Sequence, residues 1–203
     1  MEDTADTRER IIDIAEDLLF RQGYSGTSLA DIMNTTQLTK GAFFHHFKSK
    51  QELAHTVLTR WADTDDALME EFVERAQALG ETPLQETLIF LKLFEDWLGK
   101  LEEPSKGCLF ASFTYESEKF PPEMHNYVRD RLNAWMKIYA VLFEQLAETQ
   151  AAKAHGFTGQ GLSEFFGTIV EGGLVLGRAL DDREWLIRQL HQFRLSLQLS
   201  CDS

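Results

Sequence analysis

The stretch from Ile32 to Gln51 is rich in basic side chains and contains no acidic residue. Its basic side chains are Lys40, Lys48, Lys50 and the adjacent pair His45-His46. Ammonium and imidazole groups bind phosphate oxygens, and the local field rather than the total charge decides whether a surface approaches a polyanion. The chemistry that this stretch favours is therefore contact with a phosphate backbone.

Other residue types with catalytic or metal-binding chemistry stand in no recognisable constellation. His125, His155 and His191 have no cysteine or carboxylate at an acid–base or metal-ligand spacing. Cys108 and Cys201 lie far apart and in no C-x-x-C motif, which argues against a disulfide framework or a structural zinc site. We therefore expect a binding protein rather than an enzyme, without a cofactor or metal.

Length and composition set the class of protein. A chain of 203 residues can bury a sizeable core without disulfide or metal staples. Its 43% hydrophobic and 26% charged residues are typical of a globular protein, and no apolar run approaches the roughly 18 residues of a membrane helix. The acidic start, Met1 to Asp6, precedes no apolar segment, so we expect no signal peptide and a cytoplasmic location. The formal net charge of −13 confines any phosphate-binding surface to the acid-free stretch.

Helical periodicity runs through the whole chain, and no stretch alternates with the period of a strand. We therefore expect an all-α fold. The predicted longer helices cover about residues 7–22, 49–79, 84–100, 121–149, 162–180 and 183–199, with a short apolar segment at 108–115.

Two short helices are predicted between the first two long ones. Ser28 caps one that ends near Asn34, and Thr39 caps a second over residues 40–47. Because a turn of about four residues joins them, they predict a helix-turn-helix, whose second helix lies in the major groove. Gly41, in the first turn of this helix, costs about 1 kcal/mol relative to Ala, which favours a close approach of its backbone to another molecule.

The segments Thr27–Ile32 and Leu38–Leu53 resemble the DNA-binding signature of the tetracycline-repressor (TetR) family of bacterial transcriptional regulators. The all-helical remainder and the length are also similar to that family. The resemblance implies an N-terminal three-helix helix-turn-helix DNA-binding domain over residues 1–50. It further implies a C-terminal helical ligand-binding and dimerisation domain over residues 51–203. A protein of this kind is a homodimeric repressor that a small molecule releases from a palindromic operator.

Two positions depart from the family pattern. Thr36-Gln37 stands where the family usually has Ala-Gly, which predicts a left-handed Gln37 at a cost of roughly 1 kcal/mol. Phe44 stands where the family commonly has a tyrosine that meets a phosphate, so His45 or His46 would have to supply the polar contact.

The resemblance also implies which side chains meet DNA. Ala42 is expected to meet a thymine methyl, Lys40 to reach guanine, and Lys50 to contact a phosphate. Phe43 and Phe47 are expected in the core. The complete predicted DNA-binding set is Thr27, Ser28, Thr39, Lys40, Gly41, Ala42, Phe44, His45, His46 and Lys50.

The C-terminal part is rich in aromatic residues, and ligand sites in helical bundles are mostly apolar with a few polar anchors. We therefore expect a small apolar or aromatic effector. The predicted ligand-binding residues are Trp97, Cys108, Phe113, Trp135, Tyr139 and Glu171. The segment Lys106–Leu109 resembles the Gly-Cys-Leu segment of a TetR subgroup, some members of which sense electrophiles through that thiol. Cys108 is thus either packing or a redox or electrophile sensor, with Lys106 as one source of thiolate stabilisation.

The last two predicted helices carry features of a subunit interface. Gly172, Gly173 and Gly177 permit close helix approach, and Leu186, Leu190, Phe193 and Leu197 repeat at 4, 3, 4 spacing. We expect these helices to form half of a symmetric four-helix dimer interface. The alternatives are a helix-turn-helix protein that acts through protein contacts without DNA, and an enzyme.

Overall fold

The computed structural model describes residues 4–101 and 107–201, and every regular element in these ranges is a helix. The all-α prediction is confirmed. In chain order the helices are α1 (Thr4–Gly26), α2 (Leu29–Thr36), α3 (Lys40–His46), α4 (Lys50–Leu79), α5 (Pro83–Lys100), α6 (Leu109–Tyr115), α7 (Pro122–Ala147), α8 (Gln150–Ala154), α9 (Gly159–Ala179) and α10 (Trp185–Cys201), with a 3₁₀ turn at Ser117–Lys119. The acidic start, Met1 to Asp3, and Lys106 lie outside the described residues.

The structure falls into two compact units. The first unit comprises Met1–Thr64 and Leu109–Asp130, and the second comprises Asp65–Cys108 and Arg131–Ser203. This grouping differs from the division at residue 50 that the family resemblance implies. The grouping reflects contacts between residues that are far apart in the sequence. For example, the ring centroids of Tyr24 and Phe113 are 6.1 Å apart.

The core of the first unit is formed by the apolar faces of α1, α2, α3, α4 and α6. Its fully buried side chains include Ile11, Ile12, Ile32, Phe43, Phe47, Leu53, Leu58 and Leu109. On the outside of α4, Arg60 forms ion pairs with Asp13 at 2.6 Å and with Glu16 at 2.7 Å, both on α1. These contacts fix α1 against α4 and leave α2 and α3 to project their other faces outward.

The core of the second unit is an aromatic cluster centred on Phe166 of α9. The ring centroids of Phe90 and Tyr139 lie 5.4 and 4.7 Å from that of Phe166. Near this cluster, buried Glu95 of α5 accepts hydrogen bonds from Arg194 of α10, the closer at 2.8 Å. Because a buried carboxylate is costly without such a partner, this pair fixes the position of α10 against α5.

The predicted interface seam on α10 is wrong. Leu186, Leu190, Phe193 and Leu197 are all buried in the core of their own chain. The close approach at Gly173 is also internal, because a Cβ atom there would lie 2.6 Å from Cδ1 of Leu186. The 4, 3, 4 spacing therefore marks the face of α10 that packs inside the subunit. The exposed large apolar side chains of these two helices are instead Phe165, Val175 and Leu176 on α9, Leu180 just after it and Leu199 near the end of α10.

Candidate nucleic-acid interface and ligand cavity

Local hydrogen bonds fix both helices of the helix-turn-helix at their N-termini. Ser28 Oγ accepts from the Asp31 backbone N–H at 3.1 Å, and the Asp31 carboxylate accepts from the Ser28 N–H at 2.8 Å. Hydrogen bonds from Ser28 lower the pKa of Asp31. Thr39 Oγ accepts from the Ala42 N–H at 3.2 Å at the start of α3. The predicted caps are thus both formed.

The turn between α2 and α3 depends on Gln37. Its φ of 57° and ψ of 29° place it in the left-handed region, as the sequence predicts. In this conformation its N–H donates to the carbonyl oxygen of Asn34 at 3.3 Å and ends α2. This conformation is sterically unfavourable for a residue with a side chain and favourable for glycine.

One face of α3 anchors the helix and the other is open. Phe43 and Phe47 are buried, as predicted, and the guanidinium of Arg8 lies 5.1 Å from the ring centroid of Phe47. On the opposite face Phe44 is 39% exposed, and a Cβ atom at Gly41 would have no neighbour within 4 Å. The residues of the predicted set that lie exposed here are Thr39, Lys40, Gly41, Phe44 and His45, with Ala42 half-buried and the cap Ser28 exposed beside them. The open face of α3 can therefore enter a groove.

Two members of the predicted DNA-binding set are placed differently from the expectation. Thr27 is fully buried, and its hydroxyl donates to the carbonyl oxygen of Gly23 at 2.8 Å, so its side chain has no surface to offer DNA. Lys50 is half-buried, and its ammonium group donates to the carbonyl oxygen of Tyr24. Burial lowers the pKa of Lys50, although the nearby carboxylates of Glu116 and Asp31 oppose this shift. The sequence could not show that these two side chains have partners inside the protein.

His46 and Lys48 complete the description of this surface. His46 is half-buried, and burial, followed by the charges of His45 and Arg8, lowers its pKa. Lys48 is exposed beyond the end of α3. It belongs to the acid-free stretch, and its position just after α3 is the sequence signal for a basic side chain on this surface, but the predicted DNA-binding set does not include it.

Glu116 holds the junction between α1 and α2. Its carboxylate accepts hydrogen bonds from the backbone N–H groups of Tyr24 at 2.8 Å and Ser25 at 2.7 Å. Burial alone would raise the pKa of Glu116, but these hydrogen bonds outweigh it and lower the pKa. Gly23 has a φ of 71°, and a side chain there would collide with Glu116. The junction is therefore tied to residues far along the chain.

A cavity of about 450 Å³ lies between α7 and α9 of the second unit. It is lined by Leu132, Trp135, Met136, Glu164, Gly167, Thr168, Glu171 and Gly172. Tyr139 lies beneath it, since a Cβ atom at Gly167 would be 3.2 Å from the Tyr139 hydroxyl. The thiol of Cys108 hydrogen-bonds to Glu171.

The structure thus brings together four of the six predicted ligand-binding residues and separates two. Trp135 and Glu171 line the cavity, and Tyr139 and Cys108 adjoin it. Trp97 stacks on Phe94, with ring centroids 5.9 Å apart, and lines no part of this cavity. Phe113 belongs to the core of the first unit, where its ring stacks 4.8 Å from that of Phe120.

Two carboxyl groups near the cavity have raised pKa values. Burial, then the charges of Asp66 and Glu171, raise the pKa of Asp65 to about 6, and the Trp135 indole N–H partly offsets the rise. Burial likewise raises the pKa of Glu171, and the Cys108 thiol partly offsets it. Burial and these two carboxylates raise the pKa of Tyr139 as well. The charged forms of Asp65 and Glu171 are therefore poorly solvated.

Sequence reasoning missed Asp65, although the sequence contains a signal for it. Leu58, Ala62, Met69 and Phe72 form a buried stripe along α4 at helical spacing. Asp65 occupies the central position of that stripe, at 58, 62, 65, 69 and 72. An acid in the middle of an apolar helix face predicts a buried carboxyl group.

The side chain of Cys108 is buried and lies against the carboxyl group of Glu171. An anionic neighbour opposes thiolate formation, whereas a reactive cysteine needs a positive environment and access. Lys106, the expected source of positive charge, lies outside the described residues.

Two further features bear on the class of protein. Among the helices in the described ranges, none combines the length and apolar composition that a bilayer-spanning segment requires. In the same part of the chain, no group of three or more histidine, cysteine or acidic side chains is placed to hold a metal ion.

The family model and several curated relatives match the N-terminal part of this chain. Residues 11–57 match the family model described as "Bacterial regulatory proteins, tetR family". The transcriptional regulator TtgR of Pseudomonas putida is 37% identical over 67 residues, which are 33% of this chain and 32% of TtgR. The transcriptional repressor NemR of Escherichia coli is 34% identical over 55 residues, 27% of this chain and 28% of NemR. The chain thus spans about a quarter to a third of the length of these curated relatives.

Solved structures are similar over nearly the whole chain. A TetR-family regulator from Agrobacterium tumefaciens has a TM-score of 0.74 at 18% identity and covers 96% of this chain and 98% of its own. One from Chloroflexus aurantiacus has a TM-score of 0.71 at 24% identity and covers 98% and 97%. At these identities the likeness concerns the fold. Residues 11–57 therefore match the family model of the tetR bacterial regulatory proteins, and the chain as a whole shares the fold of these solved structures.

Proposed function

We propose that this protein is a DNA-binding transcriptional regulator, and specifically a repressor, that reads an operator with α3. The observation that carries the proposal is the open face of α3, which presents Lys40, Phe44 and His45 while Phe43 and Phe47 lock the opposite face into the core. A recognition helix needs this combination of a rigid inner face and an exposed, basic outer face. The match of residues 11–57 to the tetR family model supports the same function.

The side chains divide by the contacts they can reach. Lys40 and His45 carry hydrogen-bond donors for base edges, and Phe44 and Ala42 offer apolar surface for a thymine methyl. The caps Ser28 and Thr39, together with exposed Lys48, are placed for the phosphate backbone on either side of the groove. Gly41 lets the start of α3 approach the backbone closely. Lys50 acts instead as a support for the helix-turn-helix through Tyr24.

A homodimer and a palindromic operator complete the proposal. Phe165, Val175, Leu176 and Leu180 are exposed, and a second copy of the chain would cover this surface. A two-fold dimer presents two recognition helices to successive major grooves, which matches a palindromic site. A small apolar or aromatic effector bound in the cavity of about 450 Å³ would release the DNA by favouring a different arrangement of the dimer.

The test is binding of the full-length protein to fragments of its own genomic region, measured by fluorescence anisotropy over a salt series. We expect affinity to fall steeply with salt, and Lys40→Ala together with Lys48→Ala to weaken binding at least tenfold. Lys137→Ala, an exposed lysine in the second unit, is the matched control and should change affinity less than twofold. Binding that ignores salt, or that survives the double substitution, would instead support a helix-turn-helix protein that acts through protein contacts.

A thiol sensor at Cys108 is the second candidate mechanism of release, and the hydrogen bond to Glu171 weighs against it. The discriminating experiment titrates DNA binding by wild type and Cys108→Ser with a quinone-type electrophile and with unreactive aromatic ligands. An identical response of both proteins would support reversible binding in the cavity. Loss of the electrophile response in Cys108→Ser alone would establish thiol sensing.

A further inference from the structure

We propose that the cavity between α7 and α9 selects ligands that join a cationic group to an apolar aromatic body, with Glu171 holding the cation and the nearby Asp65 adding negative charge. The proposal deepens the proposed function by naming the chemical class of the effector. It rests on that function only for its regulatory consequence, because ligand binding is measurable without DNA.

The walls of the cavity accept an aromatic body. Leu132, Trp135 and Met136 of α7 form one side, and α9 contributes Gly167 and Gly172 on the other. A side chain at Gly167 would approach both the Tyr139 hydroxyl, at 3.2 Å, and the Trp135 ring, at 3.8 Å. The absence of a side chain at Gly167 therefore keeps the space above these two aromatic rings open.

One polar atom beside this apolar space lacks a partner. Tyr139 is fully buried, yet its hydroxyl has no hydrogen-bond partner among the described residues. Buried polar atoms of this kind cost stability unless a water or a ligand satisfies them. Tyr139 can accept a hydrogen bond from an ammonium group, and the face of Trp135 is the preferred aromatic surface for a cation.

The ionisable side chains that line the cavity, Glu164 and Glu171, are both acidic. Asp65 interacts electrostatically with Glu171 and Asp66. The guanidinium group of Arg131 forms an ion pair with Asp66 at 2.8 Å. Within the described parts of the chain, neither Asp65 nor Glu171 forms an ion pair. Two half-buried carboxyl groups without a cation are poorly stabilised, and a bound ammonium group would supply the missing charge.

The protonation behaviour of the two carboxyl groups agrees with this arrangement. Burial and like charge hold the pKa of Asp65 at about 6, so at pH 7.5 this side chain is mainly ionised and at pH 5 mainly protonated. Titratable neighbours of Asp65 are Asp66, Glu171 and Tyr139, and Cys108 adjoins Glu171. A cationic ligand should therefore bind more weakly at pH 5 than at pH 7.5.

The experiment is isothermal titration calorimetry of the full chain, without DNA, using three probes that share one aromatic body. The probes are 1-naphthylmethylamine, the neutral 1-naphthalenemethanol and the anionic 1-naphthoate. We expect the amine to bind at least tenfold more tightly than the alcohol at pH 7.5, and the naphthoate to bind least. Equal affinity of amine and alcohol, or no binding of the amine at millimolar concentration, would overturn the proposal.

Charge-neutral variants locate the selectivity. Glu171→Gln keeps a hydrogen-bond acceptor for Cys108, and Asp65→Asn keeps the shape of Asp65, so both variants should fold, which circular dichroism checks. We expect each to reduce the preference for the amine at least threefold, and the double variant to abolish it. Glu70→Gln, on an exposed face of α4, is the matched control. A preference that survives the double variant, or that falls equally in the control, would show that these two carboxyl groups do not select the cation.

DNA binding is measured separately, so failure of the two proposals is distinguishable. A protein that binds the amine but no DNA would retain the ligand site and lose the proposed regulatory role. A protein that binds DNA but shows no preference for the amine would remain a regulator with an effector of another class.

Discussion

The ammonium group of Lys50 donates a hydrogen bond to the backbone carbonyl oxygen of Tyr24 and lies 3.9 Å from the centroid of its ring. This contact joins the first residue of α4 to the end of α1, 26 positions earlier in the chain. A cation above an aromatic face and a hydrogen bond to a carbonyl group both stabilise the fold. Lys50 therefore supports the helix-turn-helix from inside the protein.

Lys50→Met and Lys48→Met separate structural support from phosphate contact. We expect Lys50→Met to lower the free energy of unfolding by about 1–2 kcal/mol, because it removes the contacts with Tyr24. Its slope of log affinity against log salt should stay close to that of the wild type. Lys48→Met should leave stability within about 0.5 kcal/mol and reduce the slope by about 1, as expected for one lost phosphate contact. Urea denaturation and a salt series of DNA binding measure the two quantities. The reverse assignment of effects would show that Lys50 contacts the phosphate.

Gln37→Gly tests the strain in the turn. The φ of 57° at Gln37 is unfavourable for a residue with a side chain and easy for glycine. We expect the substitution to raise the free energy of unfolding by up to about 1 kcal/mol, measured by urea denaturation. Asn34→Gly, inside α2, is the control and should lower it by a few tenths of a kcal/mol to about 1 kcal/mol. Destabilisation by Gln37→Gly would mean that the side chain contributes more than the strain costs.

Substitutions of the adjacent glycines Gly172 and Gly173 in α9 should have opposite effects on the stability of the protein. A Cβ atom at Gly173 would lie 3.1 Å from the Cα atom of Leu186, so Gly173→Ala forces α9 and α10 apart and should cost about 1–3 kcal/mol. At Gly172 nothing lies within 4 Å, and Gly172→Ala should stabilise the protein by about 0.5–1 kcal/mol through helix propensity. Thermal unfolding of the two variants gives the comparison. Equal effects of both substitutions would contradict the close internal approach at Gly173.

Asp65→Asn predicts a stability difference that depends on pH. The pKa of Asp65 is raised to about 6 in the folded protein, so the folded state binds more protons than the unfolded state between about pH 4 and 6. The contribution of Asp65 to stability therefore falls as pH rises through this window. We expect Asp65→Asn to be more stable than wild type by about 1–3 kcal/mol at pH 7.5, with little difference at pH 4.

Urea denaturation at the two pH values measures the Asp65 effect. Glu70→Gln, an exposed acid on the same helix, is the control and should show no such pH dependence. An Asp65→Asn variant that is less stable than wild type at pH 7.5 would mean that the ionised carboxylate has a stabilising partner in the folded protein.

Features that depend on interactions between near neighbours can be predicted from the sequence. The caps at Ser28 and Thr39 and the left-handed Gln37 involve residues at most three positions apart. Buried Phe43 and Phe47 follow from apolar spacing within one helix. Such interactions are local, so the residue types and their order are sufficient to predict them. The all-α class and the helix-turn-helix were predictable for the same reason.

The choice of the faces that are buried, and of the distant groups that lie close together, depends on the tertiary structure. The spacing of Leu186, Leu190, Phe193 and Leu197 is compatible with packing inside the subunit and with pairing between subunits. Contacts with distant parts of the same chain bury this face inside the subunit. Thr27 is buried and Lys50 is engaged with Tyr24, which no local pattern indicates. Asp65 and Glu171 interact electrostatically, although more than one hundred positions separate them in the sequence. Helical periodicity specifies an apolar face but not its partner, because that choice depends on the packing of all helices together.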